Sequence, residues 1–161
     1  MMVLRKPDAK ASSLSSMLTK ETIKLGVRAR DWRDAVREAG RLLVDSGGAE
    51  ERYIEAMIAM VEEIGPYIVI APGVALPHAR PEDGVKRPCL SLLMLDPAIG
   101  FGNEHNDPVS LVIAFGAPES QKHLDALRDV ARLLEDSERL ERLRSAASAD
   151  EVLEVVSAAR Y

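Results

Sequence analysis

With 161 residues, 47% of them hydrophobic and 29% charged, the chain has the length and composition of one soluble domain with a full core. Its formal charge of −5, from 21 basic and 26 acidic residues, excludes nucleic acid as the main partner, since Arg28, Arg30, Arg33 and Arg37 alternate with acids instead of clustering. No run approaches the ~20 apolar residues of a membrane-spanning helix, no apolar stretch follows the basic residues of Met1–Lys20 to make a secretory signal, and a lone Cys89 permits no internal disulfide. These features predict a protein of the reducing cytoplasm.

Residues 1–11 read as a loose leader and 12–161 as the domain. A short helical piece begins at Leu14, and Thr22–Val27 is a candidate strand. Asp31 reads as the N-cap of a helix whose Trp32, Ala35, Val36, Ala39, Leu42 and Leu43 share one face, stopped by Ser46-Gly47-Gly48. A second helix from about Glu50 carries Tyr53, Ile54, Met57, Ile58, Val61 and Ile64 as a wide apolar stripe and ends at Gly65-Pro66. Tyr67–Ile70 is a run of strand formers, followed by a Pro/Gly turn and the segment Val74–Arg80. Leu90–Leu95 and Val109–Phe115 read as buried strands joined by a long polar connection, Asp96–Pro108.

The last third is helical. Ser120 is the expected N-cap of a helix bearing Leu124, Leu127, Ala131 and Leu134, a short helix covers Ser137–Arg144, and Ser148–Glu151 matches a capping box. Helices before, between and after at least three strands predict an α/β sandwich with a mixed sheet.

Three histidines carry the chemical possibilities. His78 stands between Pro77 and Pro81, just after a glycine turn. Prolines stiffen this backbone in an extended form, which suits an imidazole that must present one nitrogen while the other is held. Taken alone, a histidine in a surface turn is the commoner explanation. His123, three residues after Ser120, falls in the first turn of a helix, where N–H groups and the dipole favour an anion; a solvated first-turn residue is again the commoner case. His105 lies in a polar loop and has no expected chemistry. No H-x-x-x-H or H-E-x-x-H pattern supports a metal site, no G-x-S-x-G elbow a nucleophilic triad, and no phosphate-cradling glycine loop an ATP site.

The segment Tyr67–Val85 with its Ala75-Leu76-Pro77-His78-Ala79-Arg80 core, Phe101–Val109, and Phe115–Leu124 with His123 45 residues after His78 closely resemble the mannitol/fructose-type enzyme IIA family of the sugar phosphotransferase system. The likeness runs from about Leu14 to Val156 and is strongest to the ascorbate-type branch. It implies a three-layer sandwich, a mixed sheet flanked by helices. It further implies that His78 accepts a phosphoryl group from the phosphocarrier HPr, that His123 stabilises that group, and that the group then passes to a cysteine of a separate enzyme IIB and on to sugar entering through a membrane enzyme IIC permease. No cofactor and no metal is implied. Mannitol-type members carry an arginine in the helix before the motif; Ala59–Glu63 has none, which favours an ascorbate pathway and leaves the cation at the phosphate open.

Arg80, two residues after His78, is one candidate for that cation, and Ser120 offers a hydroxyl or a cap. An apolar docking patch is expected around the His78 loop, with Val74, Leu76 and Phe101 as its candidates, three residues that equally suit the core. Two other readings stand beside this one: a regulatory phosphoprotein on the same fold, uncoupled from any transporter, and a small hydrolase or metal-binding module using His78, His105 and His123.

Overall fold

The computed structural model describes Leu14 and residues 16–157, apart from the side chains of Lys122 and His123. The expected leader, 1–11, lies outside the described residues. Asp31 caps the first helix, α1 (Trp32–Asp45), by accepting the Asp34 N–H at 2.9 Å. The second, α2 (Glu51–Ile64), stops at Gly65, whose φ of +96° a residue with a Cβ rarely adopts.

Five strands follow the expected order: β1 (Ile23–Val27), β2 (Val69–Ala71), β3 (Val74–Ala75), β4 (Cys89–Ile99) and β5 (Val109–Gly116). They form one sheet in the order β1-β4-β5-β3-β2, with β1 parallel to β4, β3 parallel to β5, and the pairs β4–β5 and β2–β3 antiparallel. The sheet is therefore mixed, as expected. Three helices close the chain: α3 (Ser120–Glu135), α4 (Ser137–Arg144) and α5 (Ala149–Ser157).

The two faces of the sheet have separate cores, because strand side chains alternate. Leu93 and Leu95 of β4 and Val112 and Ala114 of β5 pack with α1 and α2. Leu90, Leu92, Leu111, Ile113 and Phe115 pack with α3, α4 and α5. The result is a three-layer α/β/α sandwich. Ser91 is a fully buried polar residue on the first face, and its hydroxyl donates to the Ala39 carbonyl at 2.8 Å.

Three local expectations change. Tyr67 and Ile68 belong to a 3₁₀ turn, Pro66–Ile68, and the strand starts only at Val69; Pro66 sets the first φ of that turn after the reversal at Gly65. The strand β4 runs on to Ile99, so the connection to β5 is shorter than Asp96–Pro108. At α5, Ser148 Oγ accepts the Glu151 N–H at 3.2 Å, but the Glu151 carboxylate reaches the Ala147 N–H at 2.7 Å, one residue beyond the position a capping box would use.

Candidate functional site

His78 lies where the chain leaves β3 and runs beside the end of β5. The Gly73 turn is tied down by its own N–H to the Asn106 carbonyl (2.8 Å), and the Arg144 guanidinium bonds the Pro72 carbonyl. Beyond Ala75 the backbone stays extended: Leu76 N–H donates to Ile68 O at 2.7 Å, and Phe115 N–H to Pro77 O at 3.2 Å. The proline-flanked segment thus extends the parallel pairing with β5, which is the stiff mount its sequence predicts.

The imidazole is half-buried and stacks on Phe115, with ring centroids 5.1 Å apart and planes 28° apart. Its Nδ1 is 2.8 Å from the Leu76 carbonyl oxygen. A carbonyl can only accept, so Nδ1 carries the proton and donates. In the neutral ring Nε2 then keeps a lone pair. The geometry presents one nucleophilic nitrogen on a side chain held by a hydrogen bond and a stack.

Among the other expected site residues, His123 is in the first turn of α3 by its backbone, and its side chain lies outside the described residues. Ser120 does not cap that helix. It is the first helical residue and is exposed, whereas Glu119 takes the N-cap position without a side-chain cap bond. A residue already inside the helix has left the extended conformation from which a cap side chain reaches the free N–H groups. Arg80 is exposed, with Nε 3.3 Å from Asp83 Oδ2 and 4.0 Å from Glu82. Within the stretch 59–63, which holds no arginine, Glu62 accepts from Arg33 Nε at 3.0 Å and Nη2 at 2.9 Å, and that guanidinium also lies 4.5 Å from the Trp32 ring centre.

Of the two readings of the apolar residues around the His78 loop the core one holds, and Leu76 also lines the groove beside the histidine. Val74, Leu76 and Phe101 are all buried core residues, because β3 sits inside the sheet and Phe101 packs towards Trp32, with ring centroids 6.5 Å apart. The exposed apolar residues near the histidine are instead Ile64 (51% exposed), Tyr67 (73%) and Ile70 (46%), and Leu124 (50%) stands one turn before Leu127 on α3. Ile64, Tyr67, Ile70 and Leu127 line a groove of about 430 Å³ that has His78 in its wall. Ile64, Tyr67 and Ile70 read as interior in sequence but are exposed, while Ile68 and Val69 between them stay buried.

His105 is exposed in its loop, its N–H bonded to Asn103 Oδ1 at 3.1 Å. Among the described residues, no group of three or more His, Cys, Asp or Glu could hold a metal ion. None of their helices is long and apolar enough to cross a membrane.

Comparison with known families assigns residues 16–159 to the model described as "Phosphoenolpyruvate-dependent sugar phosphotransferase system, EIIA 2". The chain belongs to that family. This enzyme IIA is 38% identical over 142 residues to the ascorbate-specific PTS system EIIA component of Escherichia coli K12, covering 88% of this chain and 92% of the relative. The solution structure of the E. coli mannitol-specific cryptic phosphotransferase enzyme IIA CmtB superposes with a TM-score of 0.83 at 33% identity, over 91% of this chain and 99% of that one. The enzyme IIA of the E. coli mannitol system, solved in complex with phosphorylated enzyme IIB, superposes with a TM-score of 0.78 at 28% identity, over 89% and 100%. This enzyme IIA is accordingly a phosphoryl-carrier component of a sugar phosphotransferase system, with the mannitol-type fold.

Proposed function

We propose that this enzyme IIA accepts a phosphoryl group from phospho-HPr on Nε2 of His78 and passes it to a cysteine of an enzyme IIB, in the uptake of ascorbate through a membrane enzyme IIC. The observation that carries the acceptor assignment is the 2.8 Å contact between His78 Nδ1 and the Leu76 carbonyl, which places the proton on Nδ1 and the lone pair on Nε2. The Nε2 lone pair attacks phosphorus in line as the bond to the donor breaks. Transfer onward reverses the geometry: the P–N bond breaks and the lone pair returns to Nε2 while the cysteine thiolate forms the new bond.

Charge on the phosphoryl oxygens is met by the N–H groups at the start of α3 and by His123. Arg80 would reach the phosphoryl group only by giving up Asp83, and Ser120 has a free hydroxyl side to offer at the helix start. No cofactor and no metal takes part. The groove of Ile64, Tyr67, Ile70 and Leu127 beside His78 supports brief apolar docking of HPr and enzyme IIB in turn. The ascorbate substrate rests on the identity to the E. coli relative and on the absence of an arginine from the stretch 59–63 before the motif. The domain spans 12–161 and works in the cytoplasm.

Incubation with phosphoenolpyruvate, enzyme I and HPr is the test. One acid-labile phosphoryl group per chain is expected, absent in His78→Ala. Label retained by His78→Ala overturns the assignment. Discharge by enzyme IIB of an ascorbate system separates a transport component from a regulatory phosphoprotein, which would keep its label.

A further inference from the structure

The Tyr53 side chain is fully buried on α2, on the opposite face of the sheet from the Phe115 ring. Its hydroxyl accepts the Ala79 N–H at 3.0 Å and donates to the Phe115 carbonyl at 2.8 Å. Those two groups belong to one another by the logic of the sheet. Val74 pairs with Leu111, Ala75 with Val112, and Phe115 N–H reaches Pro77 O. In a parallel ladder the following rung is Ala79 N–H to Phe115 O. Tyr53 Oη occupies that rung and relays it.

The rung is the one that frames the acceptor. Ala79 follows His78 directly, and Phe115 is the residue on which the imidazole stacks. One hydroxyl therefore sets the spacing between the backbone carrying the imidazole and the residue against which the ring rests. The fold makes room for it at Gly116, where an added Cβ would lie 3.3 Å from Tyr53 Oη and 2.9 Å from Val85 Cγ2.

We propose that Tyr53 is a positioning residue for phosphoryl transfer, its hydroxyl replacing the last rung between β5 and the His78 segment and so holding His78 in register with Phe115 and the Leu76 carbonyl. This rests on His78 being the acceptor. Without the hydroxyl, Ala79 N–H and Phe115 O are either left buried and unpaired or close on each other, and both outcomes move the imidazole.

The test compares Tyr53→Phe with wild type and with Val152→Ala, a cavity variant in α5 with a comparable loss of stability. Two quantities are read: the ¹⁵N shifts of the His78 ring, which report the Nδ1–H tautomer, and the phosphorylation rate by phospho-HPr. Tyr53→Phe is expected to mix the tautomers and to lower the maximal transfer rate about tenfold or more, with the half-saturating phospho-HPr concentration within about twofold of wild type. Val152→Ala is expected to change neither. Gly116→Ala, which crowds the same hydroxyl, should act in the same direction and serves if Tyr53→Phe does not fold. Unchanged ring shifts, or an unchanged maximal rate, overturn the proposal. A wild-type protein that takes no phosphoryl group on His78 overturns the functional reading instead, and the ring shifts still report whether Tyr53 sets the imidazole.

Discussion

The imidazole of His78 rests on the ring of Phe115, 5.1 Å between centroids, while its Nδ1–H is bonded to Leu76 two residues earlier in its own strand extension. The imidazole is thus held from two strands at once. Phe115→Leu keeps an apolar residue in place but removes the flat surface and leaves a small void. A stability loss of about 1–2 kcal/mol is expected in urea unfolding. Transfer from phospho-HPr should slow several-fold more than that loss explains, because the ring gains freedom about its Cβ–Cγ bond.

Tyr67 projects into solvent at the edge of the groove that contains His78. Exposed to that degree it contributes little to folding, so Tyr67→Ala should shift Tm by no more than about 2 °C. Because it is an aromatic of the proposed docking surface, its loss should cost about 1–2 kcal/mol of partner affinity. Steady-state transfer assays would show this as a rise of roughly tenfold in the half-saturating phospho-HPr concentration, with the maximal rate little changed.

The Asp107 carboxylate accepts the N–H groups of Phe101 (3.0 Å), Gly102 (2.8 Å) and Asn103 (3.1 Å), which organises the turn between β4 and β5. Asp107→Ala leaves these donors without an acceptor and should destabilise the fold by about 2 kcal/mol. Asp107→Asn retains one acceptor oxygen and should fall between the two. The urea midpoint measures both, and an Ala variant as stable as wild type contradicts the role.

Burial pushes the Cys89 thiol up from 9.0 to about 11. The protein should therefore resist thiol alkylation while folded at neutral pH. Below about pH 9 the thiol is protonated in both states and its stabilising effect is fully present. Between pH 9 and 11 the unfolded thiol ionises while the buried one does not, so stability falls by on the order of 2–3 kcal/mol. Burial raises the Tyr53 hydroxyl as well, and the difference between wild type and Cys89→Ala isolates the thiol's share of the alkaline loss.

The α1 and α2 stripes, the Asp31 cap and the α4 boundaries were legible because they depend on spacing and on side chains within one turn. The composition of Tyr67–Ile70 suits a strand throughout, and strand propensity does not reveal a reversal; Gly65 at positive φ and Pro66 turn the chain before Val69 can pair. Ser120 looked like a cap for a similar reason. The helix starts one residue earlier in register than its composition suggests, with Glu119 at the boundary.

By itself the sequence determined the backbone of the His78 segment: a histidine between prolines after a glycine turn has few backbone conformations, and that restriction is local. It also determined the family, since the motif and the later histidine are spaced along the chain. Tertiary structure alone decided which apolar residues face outward, because Val74, Leu76 and Phe101 are covered by elements far away in sequence while Tyr67 and Ile70 are not. It alone revealed Tyr53, which in sequence is one more apolar position on a helical stripe. Its hydroxyl acquires a function only when α2, β5 and the His78 segment meet around a missing rung.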